Sequence, residues 1–306
     1  MSEITLSGLG YELGERIHHY KDAPNFAALM AKHRIPDMPA LMGLGTYRAS
    51  ADDILTLAIR SARKTLANAG LSGKDIDVVF FCTTNFSVIE GDGRGYVHQL
   101  CEQLGLSRAY PVGITLNNCT AFLTALKLAA SMLNDRHCEN ILVVTGDKIY
   151  DESQRAIHYG IFSDSAASCV VSRVLTNGFA VLAAGFRSDY RLIAPGAGLN
   201  DGELYANVQR SLLEDSRYDV KDITKTFTSN IFVPIARAKE MRLGFTDSQL
   251  YFDNVPEKAH CFCADALINL VDYSAARRDH AGGLYVLSAD ADGLRVSVML
   301  GASRIH

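Results

Sequence analysis

Tyr110-Pro111-Val112-Gly113-Ile114-Thr115-Leu116-Asn117-Asn118-Cys119-Thr120-Ala121-Phe122 is the stretch on which the reading of this chain turns. A short apolar strand, Tyr110 to Ile114, gives way at Cys119 to a long helical pattern. That pattern carries Ala121, Leu123, Ala125, Leu126, Leu128, Ala129, Met132 and Leu133. A thiol at such a strand-to-helix turn lies at the positive end of the helix dipole, where negative charge is favoured and the sulfur becomes a nucleophile. The alternative is a small buried apolar residue, the commoner fate of a free cysteine.

Outward from that turn, strands and helices alternate. A helix from about Ala51 to Ala69 is predicted with Ser50 as N-cap and Asp52 and Asp53 in its first turn. The apolar run Val78-Val79-Phe80-Phe81-Cys82 reads as a buried strand, followed by a helix near Gly95 to Leu104. Further strands are predicted at Ile141 to Thr145, Ala167 to Ser172 and Ala180 to Phe186. The second half repeats the arrangement more faintly. It has a helix at Ile235 to Arg242, a strand at Gln249 to Asp253 and a helix at Cys261 to Asp272. Strands at Leu284 to Ser288 and Leu294 to Leu300 follow. Apolar strands separated by helices mark an α/β architecture with sheets covered on both faces. Two similar packed halves, 1–173 and 174–306, are expected, since no low-complexity linker separates them.

A chain of 306 residues with 48% hydrophobic and 21% charged residues buries a substantial core. A net charge of −4 gives no electrostatic reason to expect nucleic acid or an anionic membrane as partner. No secretory signal and no apolar run of membrane-spanning length are visible, which points to the cytoplasm. The odd count of 7 cysteines argues for free thiols. His260-Cys261-Phe262-Cys263 lacks a second ligand pair at zinc spacing, so no metal is expected. Gly8-Leu9-Gly10-Tyr11-Glu12-Leu13-Gly14 is off the dinucleotide-binding spacing and reads as a turn.

Taken together, these residues resemble the thiolase-fold condensing enzymes, specifically the ketoacyl-acyl-carrier-protein synthase III group. The resemblance is best from Asp52 to Arg173. Thr65-Leu66-Ala67-Asn68-Ala69-Gly70-Leu71 resembles the family's helix ending in Ala-Gly-Leu, and Val78 to Thr84 its strand leading to a Thr-Thr step. Phe162-Ser163-Asp164-Ser165-Ala166-Ala167 is similar to its Phe-Gly-Asp-Gly-Ala-Gly turn, and Cys119 falls on its acyl-accepting cysteine. The resemblance implies two βα halves stacked in five αβαβα layers, and a homodimer. It also implies attack of Cys119 on an acyl thioester of coenzyme A or acyl carrier protein, with no resident cofactor, followed by transfer to a second, small-molecule substrate. Two backbone N–H groups would stabilise the tetrahedral oxyanion, one of them from the cysteine itself.

The departures shape the rest of the expectation. The family's second-half histidine, in a Pro-His-Gln-Ala-Asn run, is matched by Pro234-Ile235-Ala236-Arg237-Ala238, so Ile235 stands in its place. No histidine occurs between His158 and His260. The family's asparagine falls close to Ala259-His260, which makes His260 the candidate base, with Asp265 to orient it; a partly buried helix N-terminal residue is the alternative. The glycine-rich loop that supplies the second oxyanion N–H is matched by Ser288-Ala289-Asp290-Ala291-Asp292-Gly293, where Gly293 alone keeps the conformational freedom. The carboxylates there would disfavour a developing anion. Ser229 and Asn230 are candidate neutral donors. Arg155 matches an arginine near the pantetheine entrance and reads equally as a surface charge. The family's coenzyme A tryptophan has no counterpart, since the chain has no Trp. Its pocket aromatic maps near Gly93-Arg94, hinting at a more open pocket, and the segment Ser188 to Lys225 is shorter than the family's.

Without the His–Asn pair, the enolate formed by decarboxylation lacks its stabilisers. The expected activity is therefore Cys-dependent acyl transfer to an oxygen, nitrogen or carbon nucleophile in specialised lipid or natural-product biosynthesis. The alternative is a catalytically silent or helper subunit paired with an active homologue. A degradative thiolase would need a second reactive cysteine near the C-terminal loop, and none lies there.

Overall fold

Residues 3–85, 93–134, 138–193, 202–277 and 282–302 are described by the computed structural model. Its strands are β1 (Thr5–Leu13), β2 (Arg16–His19), β3 (Thr46–Ala49), β4 (Val78–Cys82), β5 (Tyr110–Ile114), β6 (Asn140–Asp147) and β7 (Ala156–Ile157). After them come β8 (Gly160–Ile161), β9 (Ser165–Ser172), β10 (Phe179–Ser188), β11 (Lys225–Phe227), β12 (Leu284–Ala291) and β13 (Leu294–Ala302). Nine of them join in the order β11-β12-β13-β10-β1-β9-β6-β4-β5.

That order contains one pattern twice. In the first half β5, β4 and β6 run parallel, then β9 and β1 follow antiparallel. In the second, Leu250 bridges Thr226 of β11 in parallel and β11 pairs parallel with β12. Antiparallel β13 and β10 complete it. The strands of the two halves join in the sheet where Thr5 and Leu6 pair with Ala180 and Phe179. Helices Ala121–Met132 and Asp265–Ala276 lie between them. Phe122, Leu126, Leu267 and Leu270 pack with Phe80 and Val143 of the first half and with Leu287 and Val298 of the second. Outside, helix Ile54–Ala69 covers Val79, Leu142 and Val170, and Leu212 of helix Gly202–Ser216 packs with Ala183 and Met299. Five layers result, helix–sheet–helix–sheet–helix. Strands β4 and β6 are buried along their whole length because helices cover both faces, which is why they read as unbroken apolar runs.

Several boundaries differ from the sequence reading. The helix expected from Ala51 begins at Ile54, because Asp53 rather than Ser50 caps it: its carboxylate accepts from Thr56 N at 2.7 Å. The glycine run expected as a turn is the body of β1. At Gly8 φ is +63°, and a Cβ would lie 2.6 Å from Thr65 O; at Gly10 it would lie 2.9 Å from Thr65 Oγ1. The glycines there let helix Ile54–Ala69 approach the strand, a use no local pattern reveals. The strand expected at Gln249 to Asp253 is a single bridge at Leu250. The segment between β1 and helix Ile54–Ala69 contributes Tyr20, Phe26, Met30, Met42, Leu44 and Tyr47 to a separate apolar cluster. Ile161, Phe232 and Ala259 join it beside the turn that carries His260.

Candidate active site

The two central helices enter the site through matching turns. Asn118-Cys119-Thr120 forms a 3₁₀ turn before Ala121, and Phe262-Cys263-Ala264 forms one before Asp265. The residue ahead of each cysteine takes a left-handed backbone, φ +46° at Asn118 and +54° at Phe262. Such a conformation costs a non-glycine residue about 1–3 kcal/mol, and it concentrates at functional sites. The turns touch: Cys263 Sγ lies 3.2 Å from the Asn118 carbonyl oxygen. Cys263 is buried, whereas Cys119 is only half-buried.

Cys119 Sγ stands 3.6 Å from His260 Nε2, and His260 Nδ1 stands 2.5 Å from Asp265 Oδ2. The imidazole is fixed on every side. Its residue donates from the backbone to Ile161 O at 2.8 Å and accepts from Ser163 N at 2.8 Å. Its ring stacks on Phe162 at 5.1 Å between centroids. Asp265 is buried and held by two further donors, Cys261 N and Asn230 N, each at 2.7 Å. Behind it runs a chain of amides. Asn254 Nδ2 donates to Asn269 Oδ1 at 2.9 Å, and Asn269 Nδ2 donates to Asn230 Oδ1 at 2.9 Å. That chain fixes which end of each amide is the donor.

Burial draws the His260 pKa down, but the charge and hydrogen bond of Asp265, then the hydrogen bond and charge of Cys119, push it up to about 10. At neutral pH the imidazole therefore holds its proton beside the sulfur. The group is a relay in which a carboxylate orients an imidazole and the imidazole meets a nucleophile.

Of the residues singled out from sequence, Cys119, His260 and Asp265 come together in this way. Asn230 reaches the relay through its backbone N–H, while its side-chain Nδ2 is buried without a hydrogen-bond partner among the described residues. Ser229 is buried beside it. Gly293, at φ +67°, forms the tight β12–β13 turn and accepts from Asp189 N at 2.8 Å through its carbonyl.

Two expectations are corrected. Arg155 is neither a surface charge nor an entrance residue: its side chain is 0% exposed. Its guanidinium is spent on Asp164 at 2.6 Å and on Glu152 at 3.0 and 2.5 Å, and it lies over the Tyr47 ring. Asp290 does not present a free negative charge, because Lys239 donates to it at 2.6 Å, Tyr205 at 2.8 Å, and Arg295 at 3.4 Å. Burial opposes its ionisation, yet the Lys239 and Arg295 charges hold its carboxyl below the usual range. The Gly93 and Arg94 side chains lie outside the described residues.

Sequence reasoning missed the Asn254–Asn269–Asn230 chain, the Phe162 stack and Tyr159. Tyr159 sits in the β7–β8 hairpin with its ring 6.5 Å from that of His260. Single polar residues in unremarkable local patterns carry no signal for such distant contacts. Among the described residues no group of three metal-ligating side chains gathers, and no helix is long and apolar enough to cross a membrane.

Comparison with known proteins bears on the fold. Residues 115–190 match the family model for 3-oxoacyl-[acyl-carrier-protein] synthase III. The β-ketoacyl-[acyl-carrier-protein] synthase III of Synechocystis is 30% identical over 131 residues, spanning 42% of this chain and 38% of that protein. The 2-heptyl-4(1H)-quinolone synthase subunit PqsC of Pseudomonas aeruginosa is 25% identical over 285 residues, 84% of this chain and 78% of that one. Among solved structures, the acyltransferase ChlB3 superposes with a TM-score of 0.83 at 17% identity, covering 98% of both chains. The fold, with its doubled strand order, is thus that of the thiolase-fold proteins, and over residues 115–190 the chain is similar to the 3-oxoacyl-[acyl-carrier-protein] synthase III family.

Proposed function

We propose that this chain is a Cys-dependent acyltransferase that loads an acyl group from a coenzyme A or carrier-protein thioester onto Cys119. It then passes the group to a hydroxyl or amine of a small molecule, without decarboxylation. The observation that carries the reading is the Cys119–His260–Asp265 relay, with His260 Nε2 at 3.6 Å from the sulfur. In the loading step Cys119 sulfur attacks the thioester carbonyl, and the imidazolium of His260 gives its proton to the departing thiolate. Acylation removes the cysteine's charge and with it two of the influences that hold the imidazole protonated. His260 is then a neutral base for the acceptor's proton as the acceptor attacks the acyl-cysteine, and Cys119 leaves as thiolate. Ile235 in the apolar cluster offers no donor to an enolate, which favours heteroatom transfer over condensation.

The relative PqsC, a synthase subunit by name, supports a second reading in which the chain acts only beside a homologous partner. Incubating the purified chain with acyl thioesters and reading its intact mass and peptide map separates the two. Acyl label on Cys119, lost in Cys119→Ala, is expected; label on another cysteine sinks the proposal. Label appearing only with a co-purified homologue favours the subunit reading. Carbon dioxide released from a malonyl thioester together with a β-keto product would show that the chain condenses instead.

A further inference from the structure

Asn230 carries a donor that the fold leaves unspent beside the relay. Its Nδ2 is buried, and no hydrogen-bond partner for it lies among the described residues. A buried amide hydrogen without an acceptor weakens a fold, so one kept at a site calls for an acceptor that arrives with the substrate.

The rest of the residue is held in place. Its backbone N–H donates to Asp265 Oδ2 at 2.7 Å, the same oxygen that meets His260 Nδ1 at 2.5 Å. Its Oδ1 accepts from Asn269 Nδ2 at 2.9 Å, and Asn269 Oδ1 accepts in turn from Asn254 Nδ2 at 2.9 Å. Turning the Asn230 amide over would set two N–H groups against each other, so the unspent end is fixed as a donor. The relay's own carboxylate does not need it, since Asp265 already accepts from His260, Cys261 N and Asn230 N.

The turn that carries Asn230 also packs where the histidine does. A Cβ on Gly160 would stand 3.7 Å from Ile231 Cα and 3.9 Å from His260 Cβ. Phe232 N donates to Tyr159 O at 2.8 Å, and His260 N donates to Ile161 O at 2.8 Å, so the β7–β8 hairpin seats both. A neutral donor locked against the imidazole that serves Cys119 costs no reorganisation when negative charge develops there.

We infer that Asn230 Nδ2 donates a hydrogen bond to the acyl carbonyl oxygen as attack at Cys119 turns it into an oxyanion, beside the N–H expected from the cysteine itself. This role deepens the acyl-transfer reading and rests on it. The amide keeps both hydrogens and forms no covalent bond. The charge it meets comes from the carbonyl π electrons displaced by the sulfur, and it collapses as the leaving group departs.

The test compares the wild type with Asn230→Ala, which keeps the backbone N–H on Asp265 and leaves Asn269 Nδ2 its bond to Thr228 O at 3.1 Å. Acylation of Cys119 by p-nitrophenyl acetate passes through an oxyanion. Disulfide exchange of the same sulfur with dithiodipyridine, which carries no carbonyl, does not. Asn230→Ala is expected to slow acylation about 10²- to 10³-fold, while exchange stays within about twofold, since no oxyanion forms in that step. Asn230→Ser, which keeps a small polar side chain, repeats the comparison and should show the same split if the alanine variant melts lower. Acylation within about threefold of wild type overturns the inference alone, falling far short of the loss of an oxyanion donor; the amide then holds a buried water. Equal slowing of acylation and exchange also overturns it, assigning Asn230 to the positioning of His260 and Asp265. Failure of the wild type to acylate at Cys119 overturns the acyl-transfer reading, and this inference with it.

Discussion

Asp265 decides in which protonation state His260 meets Cys119, and this makes the relay testable without a substrate. The folded pKa of His260, about 10, lies above its ordinary value of 6.5. A folded pKa raised above the unfolded one means that the folded chain holds a proton the unfolded chain releases. The stabilisation is therefore complete below about pH 6.5 and is lost as pH climbs through about 10. Within that window a single proton gives a slope of about 1.4 kcal/mol per pH unit. Asp265→Asn removes the charge that raises His260, so its stability curve should flatten between those limits, and the imidazole resonance seen by NMR should titrate nearer 6.5. A His260 resonance still titrating near pH 10 in that variant would exclude Asp265 as the cause. His260→Ala should slow turnover about 10²- to 10⁴-fold, the usual share of a proton-transfer group. A loss under about threefold would make His260 a packing residue, since it falls far below that range. Cys119 and His260 were legible because each opens a helix in a recognisable order of elements. Tyr159 was not, since its meaning comes from a contact with a residue about a hundred positions away.

Arg155 shows why elements, more than single charges, carry the site. It joins the β7–β8 hairpin to Asp164 ahead of β9 and, through Arg48 O, to β3. Asp164 in turn accepts from Ser50 N at 2.8 Å and Ile149 N at 3.0 Å. Removing the arginine leaves a carboxylate that is 1% exposed without its counter-charge. Arg155→Met should cost about 3–5 kcal/mol, the range for breaking a buried pair from one side. Glu152→Gln, at a carboxylate 49% exposed, should cost less than about 1 kcal/mol. Denaturant unfolding of both variants checks the order, and equal losses would refute the division of labour. From sequence the arginine carried no mark of burial, because nothing local distinguishes a charge that will be enclosed by another strand's carbonyl. The apolar strands β4 and β6 were legible for the opposite reason. Their burial on both faces is written as composition, whereas β11 and the Leu250 bridge are too short to leave a periodic trace.

At the scale of the whole molecule, the nine-stranded order ends on β5, the strand that leads into Cys119. One edge of that strand is unpaired among the described residues. Tyr110, 70% exposed, and Leu116, 84% exposed, flank it with apolar surface that a lone chain would leave in water. Pairing β5 with its copy about a two-fold axis would satisfy the edge and cover both side chains, since such an interface presents the same patch from each subunit. The same contact would steady the turn that holds the nucleophile, because Leu116 lies three residues before Cys119. The wild type is accordingly expected to run as a dimer by light scattering. Leu116→Asp combined with Tyr110→Lys should shift it to monomer, with a loss of Cys119 acylation larger than either change produces in the folded dimer. A wild-type monomer at micromolar concentration would refute the pairing. A dimer that survives both charges would place the interface on another face, leaving β5 to a partner other than this chain.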